Sequence, residues 1–455
     1  MTKLRFARII ALALVAIIVV AIGAMTIWRM SLESKNRARL KAISDRGEPV
    51  DSVALNRSYA HVTDTENAAF VWLDGAAEMT DDAENGDGWK KFKIPSRGTN
   101  LTDVQIEWVR GIVQSNQPAL KTFRKAAALT KSRYPVDLTP GFNALLPHLS
   151  KLKSIARLLQ AEAAVAVADG DAQRAVDAVK AILGIGRSLS NEPLLISQLV
   201  SHATDTIAFT TTDYLIPRLA LTDGQLADLA AAFSRSEDPN SLSLALIGER
   251  AIFANTAKDP YAFLAAAGGP PSSSSVSQSA QELGFGVIRM TGFFERDFGF
   301  GVDALTTNIA FAKLPDPDRF ASRTNWNAVD DRARKGRYIL SGLLLPSLGK
   351  AMHRDTEDRS KARIAQTVLA IERYRLAHAG QLPESVDALV PAYLAAVPSD
   401  PFDGKPLRFK RRESGYVVYS AGPDTVDDGG LERPVKYKDK DPWDVTFIVE
   451  RHETR

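Results

Sequence analysis

The chain has 455 residues, of which 45% are hydrophobic and 24% charged, a composition typical of a folded protein. This length is too great for one ordinary domain and is sufficient to bury a large core. A net charge of +3, from 57 basic and 54 acidic residues, is too small to indicate nucleic acid binding. Because the chain contains no cysteine, disulfide bonds, thiolate metal sites and cysteine nucleophiles are excluded.

An uninterrupted apolar run extends from Ile9 to Trp28 and contains no charged residue. Twenty residues at helical rise reach roughly 30 Å, the thickness of the hydrocarbon core of a bilayer. The apolar region of a cleaved signal peptide is shorter, about 7–15 residues. The length therefore predicts a single-pass transmembrane anchor over residues 1–30. A cleaved signal peptide is the alternative, with Ala21 to Ala24 as its cleavage site.

Basic residues flank the apolar run on both sides, so they do not fix its orientation by themselves. Three basic residues precede the run, and six follow it, namely Arg29, Lys35, Arg37, Arg39, Lys41 and Arg46. A simple count would place the large domain in the cytoplasm, but long domains translocate largely regardless of charge. The charges therefore leave the orientation open, and the C-terminal segment described below favours a large domain outside the cytoplasm.

The remaining chain divides into three predicted parts, which give a mainly α fold class. A charged juxtamembrane linker is expected over residues 31–60, and a large α-helical domain built from helical hairpins over 61–355. A small α+β domain with an antiparallel sheet is expected over 356–455. The Gly-Pro-Ser run that begins at Gly268 indicates a flexible loop near 268–280.

Local signals mark several helix boundaries in the predicted helical domain. Thr102 with Gln105, and again Thr222 with Gln225, have the spacing of a capping box at a helix start. Apolar residues recur at helical spacing between residues 150 and 229. Gly170 is placed to end one helix of this segment, and the residue after it is placed to cap the next.

The C-terminal part begins with a helix that Gly380 ends, followed by a loop rich in proline. Leu407 to Lys410 and Tyr416 to Ser420 are predicted to form a hairpin, and Val445 to Val449 a third strand. These residues read IERYRLAHAGQLPESVDALVPAYLAAVPSDPFDGKPLRF, then GYVVYSAGPDTVDDGG. This ordered set resembles the globular domain of the type II secretion major pseudopilin.

The resemblance covers about a fifth of the chain, and two family features are absent from the rest. No Gly-Phe/Met-Thr-Leu-x-Glu processing site precedes the apolar run, and more than three hundred residues separate that run from the module. We therefore expect a pseudopilin-like module reused on a larger anchored protein. The layout is similar to that of bacterial membrane-anchored proteins with a helical middle and this C-terminal piece.

The resemblance also implies a calcium loop, because the acidic loop of the pseudopilin binds calcium. Asp424 matches the first acidic ligand and Asp427 or Asp428 a later one, with Ser420 and nearby carbonyl groups completing the shell. Calcium prefers about 6–8 oxygen ligands, which a glycine-rich turn can supply. An ordinary turn is the alternative, and the basic residues that follow, such as Arg433, disfavour a cation.

Three functions remain open at this level. The first is a non-catalytic scaffold or accessory protein of secretion or envelope assembly, which uses an envelope or secretion protein as its partner. The second is a calcium-stabilised module that binds an extracytoplasmic ligand. The third is an envelope hydrolase, although the chain has no H-E-x-x-H, G-x-S-x-G or Walker motif. A deep polar pocket with a His–carboxylate pair would distinguish it.

Overall fold

The structure is a computed structural model, and it confirms a mainly α-helical chain with a small antiparallel sheet near the C-terminus. It describes residues 2–80, 82–83, 89, 92–95, 97–256, 290–434, 436 and 441–450. The predicted flexible loop near 268–280 lies outside the described residues.

The described helices are α1 (Thr2–Ser44), α2 (Ser52–Ser58), α3 (Ala68–Ala77), α4 (Asp103–Ser115), α5 (Gln117–Ala128), α6 (Pro147–Asp169), α7 (Ala172–Leu189), α8 (Leu195–Leu215), α9 (Asp223–Ser236), α10 (Ser241–Thr256), α11 (Phe293–Ala312), α12 (Asp318–Ala321), α13 (Arg323–Lys335) and α14 (Ile339–Ala377). The strands are β1 (Arg408–Arg412), β2 (Gly415–Ser420) and β3 (Val445–Glu450). Short 3-10 turns lie at Asp64–Glu66, Gly141–Asn143 and Val386–Leu389.

Helix α1 contains the predicted anchor and continues well beyond it. Its most apolar 18-residue window has a mean hydropathy of 2.9, and none of that window is buried within the protein. The helix is thus long and apolar enough to be a membrane anchor or a signal sequence. Beyond Trp28 the same helix runs to Ser44 and packs along α11.

Residues 31–60 differ from the expected linker, because the structure packs them into the body of the protein. Asn36 and Ile43 on α1 are buried, as are Leu55 and Tyr59 in and after α2. Charged side chains that suggested a solvated linker instead form ion pairs with a neighbouring helix. Arg39, for example, donates two hydrogen bonds of 2.8 Å to the carboxylate of Asp303 on α11.

The predicted helical hairpins are confirmed, together with the local signals that bound them. Helices α6, α7 and α8 pack consecutively against one another around alanine, leucine and valine side chains. Gly170 adopts a φ of 71° at the end of α6, a left-handed conformation that glycine tolerates without steric cost. Both capping boxes form, at Thr102 with Gln105 and at Thr222 with Gln225.

Helix α14 connects the two main hydrophobic cores of the described residues. Its 39 residues span about 58 Å. Leu345 and Leu348 in its first half lie in a core with α10, α11 and α13. Val368 and Ile371 in its second half lie in a core with α6 to α9 and the sheet. The predicted domain boundary at 355/356 therefore falls inside one continuous helix.

The antiparallel sheet has the order β1-β2-β3, with β2 in the centre, and confirms the predicted strands with small shifts of their ends. One face of β2, with Tyr416 and Val418, packs into the same core as the second half of α14. The Tyr416 hydroxyl donates a buried 2.7 Å hydrogen bond to Glu372 on α14. Phe447 on β3 meets Phe209 of α8 edge to face. The C-terminal module is thus joined to the helical body.

A carboxylate from a different helix caps the start of α14. Tyr338, at the N-cap position, makes no side-chain capping bond. Asp297 of α11 instead accepts hydrogen bonds from the backbone amides of Leu340 at 2.7 Å and Ser341 at 3.1 Å. A buried carboxylate at this position satisfies two free amide groups and interacts favourably with the helix dipole.

We expect Asp297→Ala to lower the free energy of unfolding by about 2–3 kcal/mol, because two buried amides lose their acceptor. Urea unfolding of the detergent-solubilised chain, followed by circular dichroism, measures this change. Asp331→Ala is the matched control, because Asp331 is exposed and makes only a surface ion pair with Arg334. It should change stability by less than about 0.5 kcal/mol. Equal effects would contradict the capping role.

Candidate functional site

The structure places the four predicted calcium ligands at the end of β2 and in the loop after it, in different environments. Ser420 is fully buried, and its hydroxyl donates to Oδ1 of Asp400 at 2.8 Å. Asp424 is exposed and accepts from the amide of Val426 at 3.0 Å, which is an ordinary turn contact. Asp428 has a buried Oδ2 with no hydrogen-bond partner among the described residues.

Asp427 is engaged by groups that hold it as a carboxylate. It accepts hydrogen bonds from the amide of Gly429 at 3.0 Å and from Nε of Arg408 at 3.2 Å. Burial alone would raise the pKa of Asp427, but these two donors and the Tyr419 hydroxyl together hold that pKa below its ordinary value.

Arg408 supplies a positive charge inside this loop. Its guanidinium donates to Asp400 at 2.7 Å and to Asp427, and it also contacts Asp403. Asp400 in turn accepts from the Ala421 amide at 2.8 Å. On the other side of the loop, Asp444 accepts from the Gly430 amide at 2.7 Å. The loop is therefore fixed by carboxylates that accept from backbone amides and from arginine.

Two of the predicted ligands are already engaged by protein partners in this arrangement. Within the described ranges, no three His, Cys, Asp or Glu side chains are grouped so that they could hold a metal ion. Ser420 is committed to Asp400, and Asp427 is committed to Arg408. Calcium binding stays a prediction that only a solution measurement tests.

We expect Asp400→Asn to lower the melting temperature equally with calcium and with chelator, because Asp400 anchors the loop through protein donors alone. Differential scanning calorimetry in both conditions measures this. Asp424→Ala is the matched control and should leave the melting temperature nearly unchanged. If calcium raises the melting temperature of the parent, and Asp424→Ala with Asp428→Ala removes that rise, then the loop binds calcium.

A second candidate site is a polar cavity of about 240 Å³ between α8 and α14, closed on other sides by α7 and the α9–α10 connection. Helix α8 contributes His202 and Asp205, which are three residues apart and so share one helix face. Helix α14 contributes Asp355, Asp358 and Arg359. The cavity is thus lined by ionisable groups from two helices that pack against each other.

Asp205 and Asp358 form a carboxyl pair across this cavity. Asp205 is only 7% exposed, and both side chains line the same cavity. Burial raises the pKa of both groups well above the ordinary value, and the charge of Asp205 further raises that of Asp358. Lys361 acts in the opposite direction on Asp358, while Asp355 and Glu357 act in the same direction.

The space for the pair depends on a glycine. A Cβ atom at Gly186 of α7 would lie 2.4 Å from Oδ1 of Asp205, so any larger residue would displace the carboxyl. No described hydrogen-bond partner reaches Oδ1 of Asp205 or Oδ1 of Asp358. Asp205 is therefore closely packed against Gly186, while Oδ1 of each aspartate has no protein donor among the described residues.

A histidine–carboxylate pair lies beside the two aspartates. Nε2 of His202 is 3.8 Å from Asp355, which also forms a 3.2 Å ion pair with the buried Arg319. Burial lowers the pKa of His202 although Asp355 opposes this, so the imidazole is neutral at neutral pH. Its Nδ1 has no described partner.

Arg359 brings hydrogen-bond donors to the same cavity. One of its nitrogens donates to Asp316 at 2.7 Å. Its Nε and Nη1 groups are buried and have no partner within the part of the chain that the structure describes. Buried polar groups are nearly always hydrogen-bonded, so several unsatisfied groups around one cavity indicate a place where water or a ligand supplies the missing partners.

The sequence analysis missed this cavity, although weak signals for it exist. His202 with Asp205, and Asp355 with Asp358, each have a three-residue spacing that places two ionisable groups on one helix face. No local pattern shows that the two helices meet. The cavity does contain the His–carboxylate pair by which the hydrolase hypothesis was to be recognised.

We expect Asp205→Asn to stabilise the protein at about pH 8 and to have little effect at about pH 4. Because the folded-state pKa is raised, the stability contributed by the protonated pair is complete below the ordinary carboxyl pKa. That stability is lost as the pH rises through the raised pKa of the folded state. The introduced amide cannot ionise, so the variant avoids the loss. Thermal unfolding at the two pH values measures the difference.

Asp213 on α8 is the matched control for this titration, because it is a lone carboxyl whose pKa burial raises to about 7. Asp213→Asn should show the same trend, with the difference between variant and parent developing between about pH 4 and pH 7. If Asp205→Asn destabilises the protein equally at both pH values, the raised pKa of the pair is wrong.

Comparison with known proteins gives no match: no family model, no curated protein and no solved structure corresponds to this chain. The resemblance of the C-terminal segment to the pseudopilin domain therefore rests on its own residues and on their order.

Proposed function

We propose that this protein is a membrane-anchored scaffold or accessory protein of secretion or envelope assembly, with its large domain on the periplasmic side of a bacterial inner membrane. The observation that carries the proposal is the junction between α1 and the body. A flexible tether would leave the domain free to tumble, whereas a helix that enters the body fixes the domain relative to the bilayer.

Helices α1 and α11 run side by side in the same direction. Arg29 pairs with Glu295 at 2.8 Å, close to the end of the apolar run, and Arg39 pairs with Asp303 further along both helices. Between these pairs, the buried Asn36 donates to the carbonyl of Glu295 at 2.8 Å. The start of α11 therefore lies at the membrane-proximal end of the body.

The membrane-proximal end also has the composition of a surface that rests on lipid. Asp297 holds the start of α14 one turn along α11, so the first turns of α14 lie close to the bilayer. There Ile339 and Leu343 are exposed. Four exposed basic residues lie in the last turn of α13 and just after it, namely Arg332, Arg334, Lys335 and Arg337. Apolar and basic side chains together favour contact with acidic lipid headgroups.

The pseudopilin-like module is the part proposed to bind a protein partner. The sheet and the long helix that supports it are joined through a buried core, so the module is presented as a rigid surface. Val426 and Leu431, in the loop after β2, are exposed apolar residues on that surface. A rigid apolar loop on an anchored body suits recognition of another envelope protein.

Single cysteines test orientation and docking together, because the chain has no cysteine of its own. Val426→Cys and Leu145→Cys place a thiol at two exposed positions. We expect a membrane-impermeant photoreactive maleimide to label both variants in intact spheroplasts. Irradiation should then crosslink an envelope or secretion protein to Val426→Cys and not to Leu145→Cys.

Labelling that appears only after lysis would place the body in the cytoplasm. Equal crosslinking from both positions, or from neither, would contradict docking through the module. A truncation before Ala362 is unsuitable as a control, because it would remove buried core residues such as Val368.

A further inference from the structure

The scaffold function makes no use of the polar cavity, and ordinary structural stabilisation does not explain its carboxyl pair. Asp400 shows how this protein satisfies a structural carboxylate, because each of its oxygens accepts from protein donors, including Ser420 and Arg408. By contrast, Oδ1 of Asp205 and Oδ1 of Asp358 have no hydrogen-bond partner among the described residues, and both residues line the cavity. Keeping such groups unsatisfied costs folding free energy without any structural return.

We propose that Asp205 and Asp358 are an acid–base pair that hydrolyses a small carbonyl compound, an ester or an amide, which enters this cavity. This activity is separate from the scaffold function. The volume of about 240 Å³ lies below the range typical of drug-sized ligands, so the site takes a small molecule or one end of a larger one.

In the reactive state the pair holds one proton. The ionised carboxylate takes a proton from water while the water oxygen bonds to the carbonyl carbon, and the protonated carboxyl gives its proton to the carbonyl oxygen. In the second step, the newly protonated carboxyl donates to the leaving oxygen or nitrogen. The other carboxylate takes back a hydroxyl proton as the bond to the leaving group breaks. An acid and an alcohol or amine leave, and the pair again holds one proton.

The neighbouring groups fit this chemistry. The two N–H groups of Arg359 without partners are donors for an oxygen atom of the substrate. Burial lowers the pKa of His202, which makes its imidazole a weaker base beside the pair. The ion pair of Asp355 with Arg319 keeps that third carboxylate occupied, and so leaves the proton to be shared between Asp205 and Asp358 alone.

Reactivity toward a small epoxide tests the pair without knowledge of the substrate. With glycidol, an ionised carboxylate oxygen bonds to an epoxide carbon, the ring opens, and the ring oxygen takes the proton from the partner carboxyl. The product is an ester on Asp205 or Asp358, which peptide mass spectrometry of the purified full-length protein detects. Because one carboxyl must be ionised and the other protonated, the labelling rate should have a bell-shaped pH profile.

Three comparisons make the result decisive. Asp205→Asn and Asp358→Asn should each reduce labelling of the remaining aspartate at least about tenfold. The half-buried Asp213 should follow a single titration near its pKa of about 7, without a bell-shaped profile. The proposal is overturned if the pair reacts no faster than the exposed Asp331, or if its labelling follows a single titration.

Failure of this proposal and failure of the scaffold function are distinguishable. The epoxide reaction uses purified protein and does not depend on membrane orientation or on a partner. Crosslinking from Val426→Cys should be unchanged when Asp205→Asn is added, because the two sites lie in different parts of the fold. The expected rise in melting temperature of Asp205→Asn at about pH 8 also shows that lost reactivity does not come from unfolding.

Discussion

The continuity of helix α14 is the constraint on which the rest of the architecture depends. Asp297 satisfies the amides at its start, and the helix then passes through one core before it supports the sheet in the other. The helix that provides Asp297 is also the helix against which α1 packs. The apolar helix α1, the helical body and the C-terminal module are therefore linked through two helices, α11 and α14.

Carboxyl groups inside this protein differ in how far protein donors satisfy them. Glu192 accepts from Ser197 at 2.5 Å and lies 3.1 Å from His148, so it ties α6, α8 and the α7–α8 connection together as a satisfied structural group. Asp205, by contrast, is buried and Asp358 is half-buried, and Oδ1 of each has no described hydrogen-bond partner. Because an unsatisfied buried group costs about 1–3 kcal/mol, the hydrophobic cores must offset this cost, as is typical where function limits stability.

The sequence predicted those parts of the fold that depend on neighbouring residues. Capping boxes, the glycine at the end of α6 and the strands are local, and they were predicted correctly. The packing of residues 31–60 and the continuity of α14 across position 355 depend on contacts between distant residues, so charge and periodicity did not reveal them. The Asp205–Asp358 pair joins residues 153 positions apart and could be found only after the helices were placed together.

The acidic loop and the cavity both show that residue types alone do not identify a functional site. In the loop, a resemblance supplied the right residue types for a cation, but Arg408 already provides a positive charge to Asp400 and Asp427. In the cavity, no motif pointed to chemistry, yet the carboxyl groups there lack internal partners. The acidic loop leaves one such buried oxygen, on Asp428, without a described partner, whereas five such atoms lie on residues that line the cavity between α8 and α14. The number of unsatisfied groups around one space therefore favours the cavity as the candidate site.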